Sequence, residues 1–402
     1  MEDDISRLPD EIGKMRFLEH IQLQKCGNFD GQAPSSMLRL ERLRFLSLID
    51  GTKFTVPKAL GVLTNMRTLK NFPAQIDGDD EEWCSLQEVG PLCLLRTVVL
   101  ENLRAVPSAS FAANAKIREK VQLNFLCMSA EPPKEKDKDK DIADAEVTEG
   151  PEPESDSQKV EKVFNELCPP PQLEELHIHG YIGLRLPRWA WASSSMDFHS
   201  LTYLLLERLP LCNQLPDGLC RLPCLETLTI NFAPAVRRVG AEFQRPQIGG
   251  GGRLAARMSF PSLHNLMLRR LPNWEEWEWK EEEEEEHSSS SSSIAMPCLH
   301  KLCIEECKLG SLPVGLASSR RLALKELYLY DVARITAMDS FPSVVELQVR
   351  SSPSLSVISG IPSIHRVEIM TCPALMEDLT LRMLIFTAIA ATTDLARYSG
   401  AK

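Results

Sequence analysis

"LEELHIHGY" (residues 173–181) carries Leu173, Leu176 and Ile178 in the spacing L-x-x-L-x-L, with His177 and His179 interleaved. Alternate side chains of an extended strand share a face, so the two histidines stand roughly 7 Å apart at ~3.4 Å rise per residue. Such a pair opens the ligand set of some metal-dependent hydrolases. It is equally what one rung of a repetitive structure would look like.

The rest of the chain favours the rung. The spacing returns at Leu18-Ile21-Leu23, Leu43-Leu46-Leu48, Leu95-Val98-Leu100, Leu201-Leu204-Leu206 and Leu225-Leu228-Ile230. It continues at Leu263-Leu266-Leu268, Leu299-Leu302-Ile304, Leu324-Leu327-Leu329, Val344-Leu347-Val349 and Ile364-Val367-Ile369. Met66-Leu69 and Leu123-Leu126 are weaker matches. Adjacent copies commonly lie ~20 to 28 residues apart, the period of leucine-rich repeats. Each unit supplies a short strand with alternate apolar residues turned inward, and the next segment returns with a second apolar group such as Leu215 or Leu312. No unit encloses its own core, so stability comes from stacking on neighbours. The expected fold is α/β: a leucine-rich-repeat solenoid, a curved horseshoe with a parallel sheet on its concave face.

Composition narrows the function classes. The chain has 402 residues, 43% of them hydrophobic, and a formal net charge of -11. An acidic balance argues against nucleic-acid binding, which needs clustered Lys and Arg. The start, "MEDDISRLPDEIG", is acidic where an export signal would be basic and then apolar. "MLIFTAIAA" is too short to span a bilayer, so no membrane role is expected. Twelve cysteines without an export signal read as reduced thiols. Cys26, Cys307 and Cys372 fall where the repeat takes Asn or Cys, at the turn after the strand, and no C-x2-C zinc spacing occurs. No cofactor is expected.

Two segments interrupt the period. Residues 129–160 are rich in charge and proline, too poor in apolar groups to offset ordering entropy, and are expected to be an acidic disordered insertion. Residues 280–293, "KEEEEEEHSSSSSS", are low-complexity and expected to be a loop. The organisation expected is therefore N-terminal repeats over 1–128, the insertion, C-terminal repeats over 161–378, and a tail or cap over 379–402. Between the repeats lies "LPNWEEWEW", whose Trp274, Trp277 and Trp279 suit either an interaction hot spot or packing within their own repeat.

Several stretches go beyond the generic repeat. Pro169, Pro170, Pro171, Leu173, Leu176, Ile178, Gly180, Tyr181, Leu186, Pro187 and Trp189 resemble a segment of the plant intracellular immune receptors of the nucleotide-binding leucine-rich-repeat class. "LRTVVLENLRAVPSASFAANAKIREKVQLNFLCM" and "FPSLHNLMLRRLPNWEEW" are similar to recurrent segments of the same family. Leu-Pro steps replace the G-x-I-P of extracellular plant repeat receptors, which favours the cytosolic class. The family's nucleotide-binding module lies N-terminal to its repeats, and "EIGKM" lacks the glycine and the Ser or Thr of a P-loop. The resemblance thus implies the sensor half, located in the cytoplasm with the nucleus as alternative.

With Leu176 and Ile178 inward, His177 and His179 face outward as variable positions of the concave surface. Their neighbours Tyr203, Leu205 and Glu207 make a poor metal-ligand set, so no metal is expected. The same alternation exposes Arg269, Lys301 with Cys303, Tyr328 with Tyr330, Arg350 and Arg366. Tyr and Arg are enriched in binding hot spots, making Arg269, Tyr328, Tyr330 and Arg350 the centre of the expected protein-binding face. The partner implied is a pathogen effector or a host protein, with an NB-ARC module in cis or trans. A generic intracellular scaffold, such as a ubiquitin-ligase substrate receptor, is the alternative. An enzyme is not expected, because no Ser-His-Asp set or paired carboxylates stand at recognisable spacing.

Overall fold

A computed structural model describes residues 8–23, 32–48, 55–74, 84–131, 153–191, 198–244, 259–279, 295–316 and 323–376. Two compact units emerge: residues 1–189 with 194–210, and residues 190–193 with 211–402. Both have the leucine-rich-repeat fold.

In the first unit β1 (His20–Gln22), β2 (Phe45–Ser47), β3 (Thr68–Pro73), β4 (Thr97–Glu101), β5 (Phe125–Ser129), β6 (Glu175–His179) and β7 (Tyr203–Glu207) pair in parallel, each with the next. Register, not proximity alone, builds the core. Leu46, Leu69, Val98, Leu126, Leu176 and Leu204 align across the strands as one buried row. Phe72, Leu100, Met128, Ile178 and Leu206 form a second. Each such side chain contributes about 1.5–3 kcal/mol on burial, and only stacking removes it from water.

A backbone clasp repeats at every strand start. Glu19 O accepts from the amides of Arg44 and Phe45, Arg44 O from Arg67 and Thr68, and Arg67 O from Arg96 and Thr97. Arg96 O then takes Asn124 and Phe125, and Asn124 O takes Glu174 and Glu175. This last clasp joins the strands on either side of the 129–160 segment, so the stacking continues across it.

The second unit contains β8 (Thr227–Asn231), β9 (Arg238–Val239), β10 (Asn265–Leu271), β11 (Glu276–Trp277), β12 (Lys301–Cys307), β13 (Glu326–Val332), β14 (Ala337–Met338), β15 (Glu346–Arg350), β16 (Val357–Ile358) and β17 (Arg366–Met370). β8, β10, β12, β13, β15 and β17 form a parallel ladder in that order. β9 with β11, and β14 with β16, make two short parallel pairs outside it. Leu228, Leu266, Leu302, Leu327 and Leu347 align in one buried row, and Ile230, Leu268, Ile304, Leu329 and Val349 in another. The residue after the last of the outward-facing positions has positive φ in all six repeats: Phe232, Arg270, Glu306, Asp331, Ser351 and Thr371. That shared left-handed residue bends the chain at a fixed point; in β10, β12 and β13 the pairing resumes one residue later, at Leu271, Cys307 and Val332.

Two sequence expectations need correction, and one weak match finds its cause. The 129–160 segment is structured at both ends: Ser129 closes β5, and a helix occupies Pro153–Glu166. With α1 (Ala109–Asn114) preceding it, this helix is α2. Val160, Val163, Phe164 and Leu167 recur at helical spacing and are all buried, an apolar face hidden among the surrounding charges. Residues 132–152, 280–293 and 379–402, and Cys26, lie outside the described residues. The weakly matching β3 carries a bulge between Leu69 and Phe72, with Asn71 at φ 57°. The extra residue displaces Phe72 from the L-x-x-L-x-L position, which is why Met66-Leu69 matched weakly. Second, Leu312 is only half-buried; Leu309 and Leu316, flanking it, fill the interior instead.

Trp274 is fully buried and Trp277 8% exposed, which settles them as packing within their own repeat. Trp274 Nε1 donates to Glu276 O at 2.9 Å. Cys307, the last residue of β12, and Cys372, just after β17, are both buried. Among the described residues no helix is long and apolar enough to cross a membrane.

Candidate functional site

The solvent-facing side of the second unit's ladder is a grid whose columns follow from the register. One column runs Thr227, Asn265, Lys301, Glu326, Glu346, Arg366; the next runs Thr229, Met267, Cys303, Tyr328, Gln348, Glu368. The third runs Asn231, Arg269, Glu305, Tyr330, Arg350, Met370. Arg269, Lys301, Tyr328, Tyr330, Arg350 and Arg366, inferred from alternation alone, therefore share one surface.

Their contacts knit the middle of that surface. Lys301 Nζ lies 4.2 Å from the Tyr328 ring centroid and 3.1 Å from Glu326 Oε2. The Tyr328 hydroxyl lies 2.9 Å from Glu326 Oε2 and 3.2 Å from Glu346 Oε1, so its one proton is shared between the two carboxylates. Gln348 Nε2 donates to Glu346 at 2.8 Å, and the Tyr330 hydroxyl donates to Gln348 Oε1 at 2.6 Å. The two tyrosine rings stack at 6.1 Å, 23° apart. Arg350 sits 5.3 Å from the Tyr330 centroid while pairing with Glu368 at 2.6 Å. Arg366 lies 3.7 Å from Glu346, and Arg269 lies 3.3 Å from Glu305.

This network fixes charge as well as position. Burial pushes the Tyr328 hydroxyl upward, and Glu326 and Glu346 add to it, so the phenol stays a donor. Burial also acts to raise the Glu326 carboxyl, but hydrogen bonds from Lys301 and Tyr328 outweigh it and hold the group below its ordinary value. Two stacked rings with few free rotamers, bordered by charges, form a preorganised surface.

Cys303 departs from expectation. It occupies an outward position yet is 1% exposed, because the larger side chains around it close over the small thiol. Burial raises its pKa against the pull of Arg269.

In the first unit His177, His179 and Tyr203 also come together. The His177 ring lies 5.0 Å from Phe125, 5.5 Å from Tyr203 and 5.9 Å from His179. Glu175 Oε1 is 2.7 Å from His177 Nε2, and Glu207 Oε2 is 3.0 Å from His179 Nδ1. Burial lowers the His177 pKa, opposed by Glu175. Cys127, beside His177 in the register, has its sulfur within 4.8 Å of one nitrogen of each histidine. Sequence reading missed it. Cys127 lies 50 residues before His177 in the chain, and the intervening insertion hid which strands stack.

The chain has partial similarity to known proteins. The family described as "R13L1/DRL21 LRRs" matches residues 86–233. The protein described as "Putative disease resistance RPP13-like protein 1" of Arabidopsis thaliana is 27% identical over 226 residues, covering 54% of this chain. The chain spans 20% of that relative's length. Among solved structures, an LRR protein of Leptospira interrogans has 13% identity and a TM-score of 0.46, over 96% of this chain and 92% of that one. The functional domain of InlJ from Listeria monocytogenes has 12% identity and a TM-score of 0.42, over 92% of this chain and 64% of that one. The chain is thus a leucine-rich-repeat protein related, in part of its length, to plant R13L1/DRL21-type repeats and to a disease-resistance protein.

Proposed function

We propose that this chain is a non-catalytic protein-recognition module of plant innate immunity, and that the outward side of the second unit's ladder binds a pathogen effector or a host protein. The observation that carries the proposal is the Lys301–Tyr328–Tyr330–Arg350 surface, where stacked aromatic rings stand between cations in fixed contact. Aromatic and arginine side chains held rigid and partly dry are the usual anchors of protein interfaces. Relatedness to a disease-resistance protein supports the immune setting, and the location that goes with this reading is the cytoplasm or nucleus. In a full-length receptor the repeats would restrain an NB-ARC module, in cis or trans. Release then requires a ligand that discriminates between the restrained and free states.

The test uses the full chain as bait in plant tissue extract, beside a folded Tyr328→Ala/Tyr330→Ala variant. A protein retained by the wild type and lost from the variant supports the reading. Equal retention of every partner by both removes this surface from consideration.

A further inference from the structure

The geometry points to a zinc site on the first unit, formed by Cys127 Sγ and one ring nitrogen each from His177 and His179, with the fourth position open to solvent. Cys127 and His177 are register partners on adjacent strands, and His179 is the next outward residue on the same strand. Their three donor atoms already lie within 4.8 Å of one another. Tetrahedral zinc, with Zn–S about 2.3 Å and Zn–N about 2.0–2.1 Å, needs donors about 3.3–3.6 Å apart. Side-chain rotations moving the donors by roughly 1 Å close the set around such an ion.

Two further features fit a metal. Each imidazole holds a carboxylate on one nitrogen: Glu175 on His177 Nε2 and Glu207 on His179 Nδ1. A metal on the other nitrogen of each ring would complete the carboxylate–histidine–metal arrangement that orients ligands and raises their basicity. The rings of Phe125 and Tyr203 flank His177 and limit its rotation. One thiol with two imidazoles is a donor set for zinc, not for magnesium or calcium, which take oxygen. Binding would release the Cys127 thiol proton to solvent, forming the Zn–S bond from the resulting thiolate. The site stands independently of the recognition surface of the other unit.

The test is a titration of the reduced, chelator-stripped full chain with Co2+, followed by displacement with Zn2+. The wild type should take up a single equivalent of Co2+, with a thiolate-to-cobalt charge-transfer absorption that Zn2+ abolishes. Cys127→Ser should remove that absorption, and Cys303→Ser should leave it intact. His179→Gln should weaken Zn2+ binding by more than the roughly 10- to 100-fold expected for Glu207→Gln, which touches only the outer shell. Circular dichroism monitors folding; if Cys127→Ser does not fold, the half-exposed His179 variant decides. No saturable uptake by the wild type, an absorption that survives Cys127→Ser, or unchanged affinity in folded His179→Gln would overturn the site.

Discussion

Lys120 Nζ lies 2.8 Å from the carbonyl oxygen of Val89 in the preceding repeat, and also within reach of Gly90 O and Leu92 O, at 3.3 and 3.2 Å. One fully buried ammonium thus donates to the Val89 carbonyl, which ends the 3-10 turn Leu86–Val89 and also accepts from the Leu92 amide, and to the Gly90 and Leu92 carbonyls just beyond it. Lys120 O in turn accepts from Gln172 Nε2 at 3.0 Å, carrying the contact one repeat further. Lys120→Met should lower stability by about 1–3 kcal/mol near neutral pH, by stranding buried acceptors.

The same residue gives a pH dependence. Burial pulls the Lys120 pKa down to about 8, whereas an unfolded lysine titrates near about 10.4. Between those values the unfolded chain binds the proton and the folded chain does not, so this group makes stability rise with pH across that window. Below pH 8 both states are protonated and the cost of the buried charge is constant. Urea unfolding at several pH values should show the gap between wild type and Lys120→Met widening from pH ~8 toward ~10. A gap that narrows or stays flat would contradict the assignment.

Gly180 should not tolerate a side chain. It has φ 62°, and an added Cβ would meet the Glu131 side chain, which Arg208 Nη1 holds at 2.9 and 3.0 Å from its two oxygens. Arg208 and Phe232 adopt similar φ without being glycine, so dihedral strain alone does not demand one. Gly180→Ala should cost about 1–3 kcal/mol, combining left-handed strain with displacement of Glu131. Shortening the obstacle with Glu131→Ala should recover part of that loss, which a thermal-melting cycle would read.

The tryptophans separate packing from recognition. Trp274→Ala should cost about 3–5 kcal/mol, since the whole side chain is buried. Tyr328→Ala should cost much less, about 1 kcal/mol, because its ring is half-exposed and its hydrogen bonds are to surface groups. Denaturant midpoints of the two variants test the contrast.

Much of this fold was legible in the sequence because the leucine spacing reports a strand's inward side directly. His177, Tyr328 and Arg350 were assigned outward on that basis, and all three are. The spacing failed where local geometry changed the count or where burial came from elsewhere. The Asn71 bulge shifted Phe72 by one place, and the face of α2 was masked by the acidic composition around it. Cys303 was placed correctly by alternation, but its burial depends on the reach of side chains from adjacent rungs. The Cys127–His177 pairing depends on register between strands separated by an insertion, which spacing along one strand does not encode.

Hydrogen exchange of the full chain, with and without a protein captured by the wild type but not by Tyr328→Ala/Tyr330→Ala, locates the recognition surface most directly. Added protection should concentrate in Lys301–Cys307, Glu326–Val332 and Glu346–Arg350. Protection confined to the first unit, or to the segment around Trp274, would contradict a binding surface built on those strands.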